Sequence, residues 1–86
     1  MTDSIITLYG KDLSFCGQCN ATKKALEKKG IDYHYEAIDL PENAGLLETM
    51  KERGHAQAPV VIVTREGGYV LDEWSGFRPD RIAGLT

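Results

Sequence analysis

Little in this chain points to a membrane, a secreted scaffold or a nucleic acid. Only two cysteines, three prolines and one tryptophan occur in 86 residues. No apolar run approaches the roughly 20 residues that a membrane helix needs. The start, Met1-Thr2-Asp3-Ser4-Ile5-Ile6, lacks the basic opening and apolar stretch of a secretory signal, so a cytoplasmic location is expected. Positive charge is not in excess: 10 Lys and Arg face 13 Asp and Glu, a net charge of −3. Phosphate recognition needs a basic face, which argues against nucleic acid as the main partner. There is no second cysteine pair, and His34 and His55 lie far apart, so the four ligands of a structural zinc are not supplied by any recognisable spacing. No repeat, linker or low-complexity segment divides the chain. Its length and its 42% hydrophobic content suit one globular domain over residues 1–86.

What is present is a pair of thiols, Cys16-Gly17-Gln18-Cys19. Two cysteines at this spacing close a short ring as a disulfide and reopen it on taking up two electrons. Structural disulfides are rare in the cytosol, where such a pair is more often catalytic or metal-binding. The context of the pair supports redox chemistry. Ile5 to Tyr9 is a β-branched and aromatic run that stops at Gly10 and reads as a strand. After a loop, Gln18 to Lys29 has helical periodicity, with Ala21, Ala25 and Leu26 on one face and lysines and Glu27 on the other. Gly30 suits its C-terminal cap. Ile31 to Ile38 reads as a second strand. A CxxC beside a βαβ pattern is a thioredoxin-like redox signature, although the same four residues occur in zinc sites.

Pro41 opens a second helix, with Asp39 or Leu40 near its N-cap, Leu46, Leu47 and Met50 as its buried stripe and Gly54 at its end. Pro59 to Val63 is the clearest strand. Glu66-Gly67-Gly68 signals a hairpin turn, and Tyr69 to Leu71 returns as its partner. Pro79 suits the first turn of a last helix, about Asp80 to Leu85. The order βαβαββα predicts an α/β fold: a four-stranded mixed sheet flanked by helices, its first two strands parallel and its last two a hairpin. In such sheets the site lies beyond the carboxyl end of a strand, here the loop after Tyr9.

Cys16 falls at or just before a helix N-terminus, where free N–H groups and the helix dipole favour the reactive thiolate. Lys11 or Lys23 would add to that effect. Cys19 lies one turn on, at a separation a disulfide can bridge. Cys16 is therefore expected to be the exposed attacking thiol and Cys19 the buried resolving one. A second unusual stretch is Trp74-Ser75-Gly76-Phe77-Arg78-Pro79. From composition alone, Trp74 is best read as an anchor for the last helix and Arg78 as a surface cation.

Over almost its whole length the chain resembles the glutaredoxin-like NrdH redoxins. The shared features are the strand before Cys16-Gly17-Gln18-Cys19, the following Thr22-Lys23, the stretch Ala56-Gln57-Ala58-Pro59-Val60-Val61 and, most specifically, the block from Trp74 to Pro79. The resemblance implies a thioredoxin fold and a dithiol electron carrier with no bound cofactor. Its electrons would come from NADPH through the flavoenzyme thioredoxin reductase, and its acceptor would be the large subunit of class Ib ribonucleotide reductase. The resemblance further implies a cis Pro59 facing the disulfide. Ala58 would offer backbone hydrogen bonds to an extended partner segment, with Gln18, Trp74, Ser75, Phe77 and Arg78 as part of the partner-binding region. A monomer is expected. Two departures stand out: the segment from Tyr9 to Cys16 is about two residues longer than in the family, and Gly17 replaces a usual apolar residue.

The nearest alternative is a glutathione-dependent dithiol glutaredoxin. Those proteins typically carry Cys-Pro-Tyr-Cys, Thr-Val-Pro and Gly-Gly-x-Asp motifs. Here Gly17-Gln18, Gln57-Ala58-Pro59 and Trp74-Ser75-Gly76-Phe77 stand in their places, so weak or absent glutathione dependence is expected. A redox-sensing or metal-binding CxxC module, including a cluster shared between two chains, is a further alternative.

Overall fold

A computed structural model describes residues 4–85. Its elements run β1 (Ser4–Gly10), α1 (Gly17–Lys28), β2 (His34–Ala37), α2 (Ala44–Glu52, entered through a 3-10 turn at Pro41–Asn43), β3 (Val60–Arg65), β4 (Val70–Ser75) and α3 (Pro79–Ala83). This is the expected βαβαββα order. The sheet order is β2-β1-β3-β4, with β1 and β2 parallel and the other two pairs antiparallel.

The central strands explain the core. β1 alternates, burying Ile6 and Leu8, whereas Val60 to Val63 in β3 are all buried, as expected for a strand covered on both faces. On one face, Ile6, Leu8, Val61, Val63 and Trp74 pack with Leu26 of α1 and Ile82 of α3. On the other, Val60 and Ile62 pack with Met50 of α2. Leu46 and Leu47, expected in a buried stripe, are only half-buried.

Several boundaries differ from the sequence expectation by a residue or two, and three larger differences have a local reason. The second strand begins at His34 rather than Ile31. After α1 the Gly30 N–H donates to the Glu27 carbonyl and the Ile31 N–H to the Leu26 carbonyl, each at 3.0 Å. That Schellman pattern uses Ile31 to close the helix. The last strand runs on to Ser75, although Asp72 and Glu73 are poor strand formers. Their carboxylates are paired with Arg81 and Arg53. Finally, Asp39 does not cap the second helix. Leu40 precedes the 3-10 turn at Pro41–Asn43 without a side-chain bond and Asn43 stands at the start of α2, while Asp39 serves a loop instead.

Candidate redox site

β1 delivers the chain to the loop 11–15, and Cys16 then stands as the N-cap of α1 in extended conformation. Its Sγ accepts the Cys19 N–H at 3.2 Å, the position a capping oxygen would take. Cys16 and Cys19 are joined in a disulfide with a Cα–Cα distance of 5.2 Å. Cys19 is 1% exposed and Cys16 is half-buried, so only Cys16 offers a sulfur to a partner. No acidic residue lies in the first turn of α1. Once the bridge is reduced, the amide that meets a neutral sulfur here would meet a thiolate, a stronger interaction. Lys23 is engaged elsewhere: its Nζ lies 3.9 Å from the Tyr35 ring centroid.

Hydrogen bonds join the three segments singled out in the sequence to one another through Gln18, which lies between the two cysteines. The Ala58–Pro59 peptide is cis, as the resemblance implied. The Pro59 carbonyl accepts the Gly76 N–H at 2.8 Å, and the Phe77 N–H donates to Gln18 Oε1 at 2.9 Å. Gln18 is anchored in turn because its carbonyl accepts the hydroxyl of fully buried Thr22 at 2.8 Å. Gly76 is the pivot. It has a φ of +82°, and a Cβ there would lie 3.0 Å from both Gln18 Oε1 and Gln57 Nε2. A Gly76→Ala variant should therefore lose roughly 1–3 kcal/mol of stability, read from its denaturant midpoint. An unchanged midpoint would refute this pivot role.

The other residues of the block divide by burial. Trp74 is 4% exposed and lies in the core cluster with Ile82, so it supports the loop from beneath and presents no surface to a partner. Its indole Nε1 is buried without a hydrogen-bond partner. Ser75 is half-buried at the end of β4, and Phe77 packs partly against the core. Arg78 is exposed, and its guanidinium donates to Asp80 through Nε at 3.2 Å and Nη2 at 3.0 Å.

Sequence reasoning missed two supporting constellations. Asp39, two residues beyond β2, accepts the N–H groups of Asp12 and Leu13 at 2.8 Å and of Ser14 at 3.2 Å. The Tyr35 hydroxyl donates to Asp12 Oδ1 at 2.7 Å. Gly10 makes room for that ring, since a Cβ there would sit 2.8 Å from Tyr35. The long loop before Cys16 is thus pinned, with the only sequence signal an acid just beyond a strand. The Asp12 amide, with those of Leu13 and Ser14, holds the Asp39 carboxyl below the usual carboxylate range. A lowered folded-state pKa means anchoring is complete above the ordinary aspartate value of about 3.9 and is lost as pH falls through the lower folded value. The Leu13 and Ser14 amide NMR signals should accordingly titrate below that ordinary value. Titration at or above it would contradict the anchoring.

The second constellation is Glu73, which pairs with Arg53 and accepts or shares a proton with His55 Nε2 at 2.6 Å. It ties the end of α2 to β4, giving His55 a structural role. Hydrogen bonding to Arg53, with a further contribution from His55, lowers the Glu73 carboxyl pKa. Beside this tie, a cavity of about 460 Å³ opens among Lys11, Leu47, Met50, Gln57 and Ala58. Among the described residues, no group of three or more His, Cys, Asp or Glu side chains could hold a metal ion, and no helix is long and apolar enough to cross a membrane.

Comparison with known proteins agrees with this geometry. The glutaredoxin family model matches residues 6–67. The glutaredoxin-like protein NrdH of Escherichia coli K12 is 41% identical over 81 residues, covering 93% of this chain and 86% of the relative. The Salmonella typhimurium protein of the same name is 38% identical over 80 residues, with the same coverage. Among solved structures, Escherichia coli NrdH-redoxin, described as having a thioredoxin-like activity profile, superposes with a TM-score of 0.79 at 37% identity. The match covers 94% of this chain and 93% of that one. Glutaredoxin-1 of Archaeoglobus fulgidus shares the fold with a TM-score of 0.69 at 22% identity, covering 99% of this chain and 86% of that one. With a redox-type disulfide at the start of α1, this chain belongs to the glutaredoxin family, among its NrdH-like thiol–disulfide oxidoreductases.

Proposed function

We propose that this protein is a dithiol electron carrier. It receives two electrons from thioredoxin reductase, with NADPH as their ultimate source, and passes them to the large subunit of a class Ib ribonucleotide reductase. The observation that carries the reading is the identity to NrdH proteins along nearly the whole chain. The half-buried Cys16 beside fully buried Cys19 adds physical support.

In the proposed cycle the Cys16 thiolate attacks one sulfur of the acceptor disulfide. A Cys16–acceptor bond forms, and the other acceptor sulfur leaves as a thiolate that takes up a proton. Cys19, deprotonated as it attacks, then bonds to Cys16 Sγ and expels the second acceptor sulfur. The acceptor gains two electrons and two protons, and the Cys16–Cys19 bridge closes. Reduction by the reductase runs the same exchange in reverse. Ala58 and the cis Pro59 line the approach to the bridge, with Ala58 offering its backbone to an extended segment of the partner. Gln18, Ser75, Phe77 and Arg78 border that approach, and Trp74 holds them from the core. The carrier needs no bound cofactor and works as a cytoplasmic monomer.

The cavity beside Ala58, with Lys11 on its wall, favours one second reading: glutathione, whose carboxylates would face the lysine. One assay separates the two. Disulfide reduction with NADPH and thioredoxin reductase is compared with reduction by glutathione and its own reductase. Efficient turnover with the first system, continuing through to ribonucleotide reductase, is expected. Turnover confined to the second would replace the thioredoxin-like reading.

A further inference from the structure

We infer that Leu13 and Phe15 form a docking surface for a redox partner's target segment, and that this segment carries apolar residues beside its cysteine. The inference rests on Cys16 as the exchanging thiol and adds a determinant of which disulfides it meets. Phe15 is 88% exposed and Leu13 69% exposed. Scattered exposed apolar residues are ordinary, but these two are neither scattered nor loosely held. The loop bearing them is fastened by three N–H bonds to Asp39 and by the Tyr35–Asp12 bond. The Phe15 ring also covers Gly17 on the far side of Cys16, reaching within 3.4 Å of where a Gly17 Cβ would stand. The sulfur that exchanges is therefore flanked by an apolar side chain from the loop.

Exchange itself brings a partner chain to the edge of that surface. In the mixed disulfide, the partner's cysteine Cα lies about 4.4–6.8 Å from that of Cys16, and the Phe15 Cα is only about 3.8 Å from the latter. A partner chain that close comes within side-chain reach of Phe15. If its residues there are polar, the exposed ring remains wet or strips them of water. If they are apolar, both surfaces leave water together, which is favourable in proportion to the area buried. Holding the loop in place beforehand removes the ordering cost that a mobile loop would incur on binding.

The test uses pre-reduced protein in single-turnover reactions, quenched by alkylation and read by mass spectrometry. The oxidants are two disulfide-linked dimers of a six-residue peptide, one with leucine and one with serine on both sides of the cysteine, and 2-hydroxyethyl disulfide as a small control. The wild-type protein should react with the leucine peptide about tenfold faster than with the serine peptide, equivalent to about 1.4 kcal/mol. The Leu13→Ser, Phe15→Ser double variant should lower that preference to about twofold or less while reacting with 2-hydroxyethyl disulfide as fast as the wild type. Both positions are exposed, so the control rate also reports an intact site. A wild type without the preference, or a double variant that keeps it, would overturn the inference. So would dimerisation of the wild type, abolished in the variant, because the surface would then serve a second copy of the chain. A wild type inert even toward 2-hydroxyethyl disulfide would instead bring down the exchange reading, and the docking surface with it.

Discussion

Replacing Cys19 by serine should halt the reaction halfway, leaving the protein covalently attached to its partner. Cys16 keeps its position as the N-cap and can still form the first disulfide, but the buried sulfur that would release the partner is gone. The adduct should accumulate stoichiometrically as a mixed disulfide on intact-mass analysis, with steady-state turnover reduced about 10³-fold or more. Cys16→Ser should lose turnover to the same extent yet trap nothing, because the remaining thiol is 1% exposed. An adduct on Cys19 in the Cys16→Ser protein, and none in the Cys19→Ser protein, would reverse the roles assigned here.

The second large effect concerns stability. Trp74 is packed against both β-strand and α3 residues, including Ile82, and is 4% exposed. Trp74→Ala should cost about 3–5 kcal/mol, the range for removing a buried aromatic side chain. For a domain with a total stability of about 5–15 kcal/mol, that is a large fraction. Trp74→Phe should cost much less, because it keeps most of the packing and removes an indole N–H that has no partner. Chemical denaturation of both variants checks this. If Trp74→Ala were nearly as stable as the wild type but poorly reduced its partners, Trp74 would be a contact residue and not a core anchor.

Trp74 also shows what a sequence can and cannot convey. Its surroundings in the chain are polar and glycine-containing, and its resemblance to a partner-binding block drew it toward the surface. The strand beneath it was obscured because Asp72 pairs with Arg81, nine residues on, and Glu73 with Arg53, 20 residues back, both beyond the strand itself. Local propensity cannot register such pairings. The CxxC, by contrast, was fully legible: its spacing, the strand before it and the helix after it are local features, and all three occur where periodicity put them. The hairpin at Gly67-Gly68 and the proline-started last helix were legible for the same reason.

The isomer of Pro59 lay between these cases. Most X–Pro bonds in folded proteins are trans, and only the resemblance pointed to the cis bond observed. Asp39 was the clearest miss. Beside Pro41 it has the look of a helix cap, but its carboxylate turns back across 25 to 27 residues to hold the loop before Cys16. The bond from the Phe77 N–H to Gln18 spans 59 residues. Both contacts depend on how the sheet brings distant loops to one end, which no window of sequence contains.

The most direct test of the account is the pH dependence of alkylation of the fully reduced protein, with each cysteine followed separately by mass spectrometry. Cys16 should react first and far faster than Cys19, and its rate should reach half-maximum well below the value of about 8.5 typical of a free thiol. Equal labelling of the two sulfurs, or a Cys16 that titrates like any unperturbed thiol, would contradict the claim that the start of α1 prepares this sulfur for exchange.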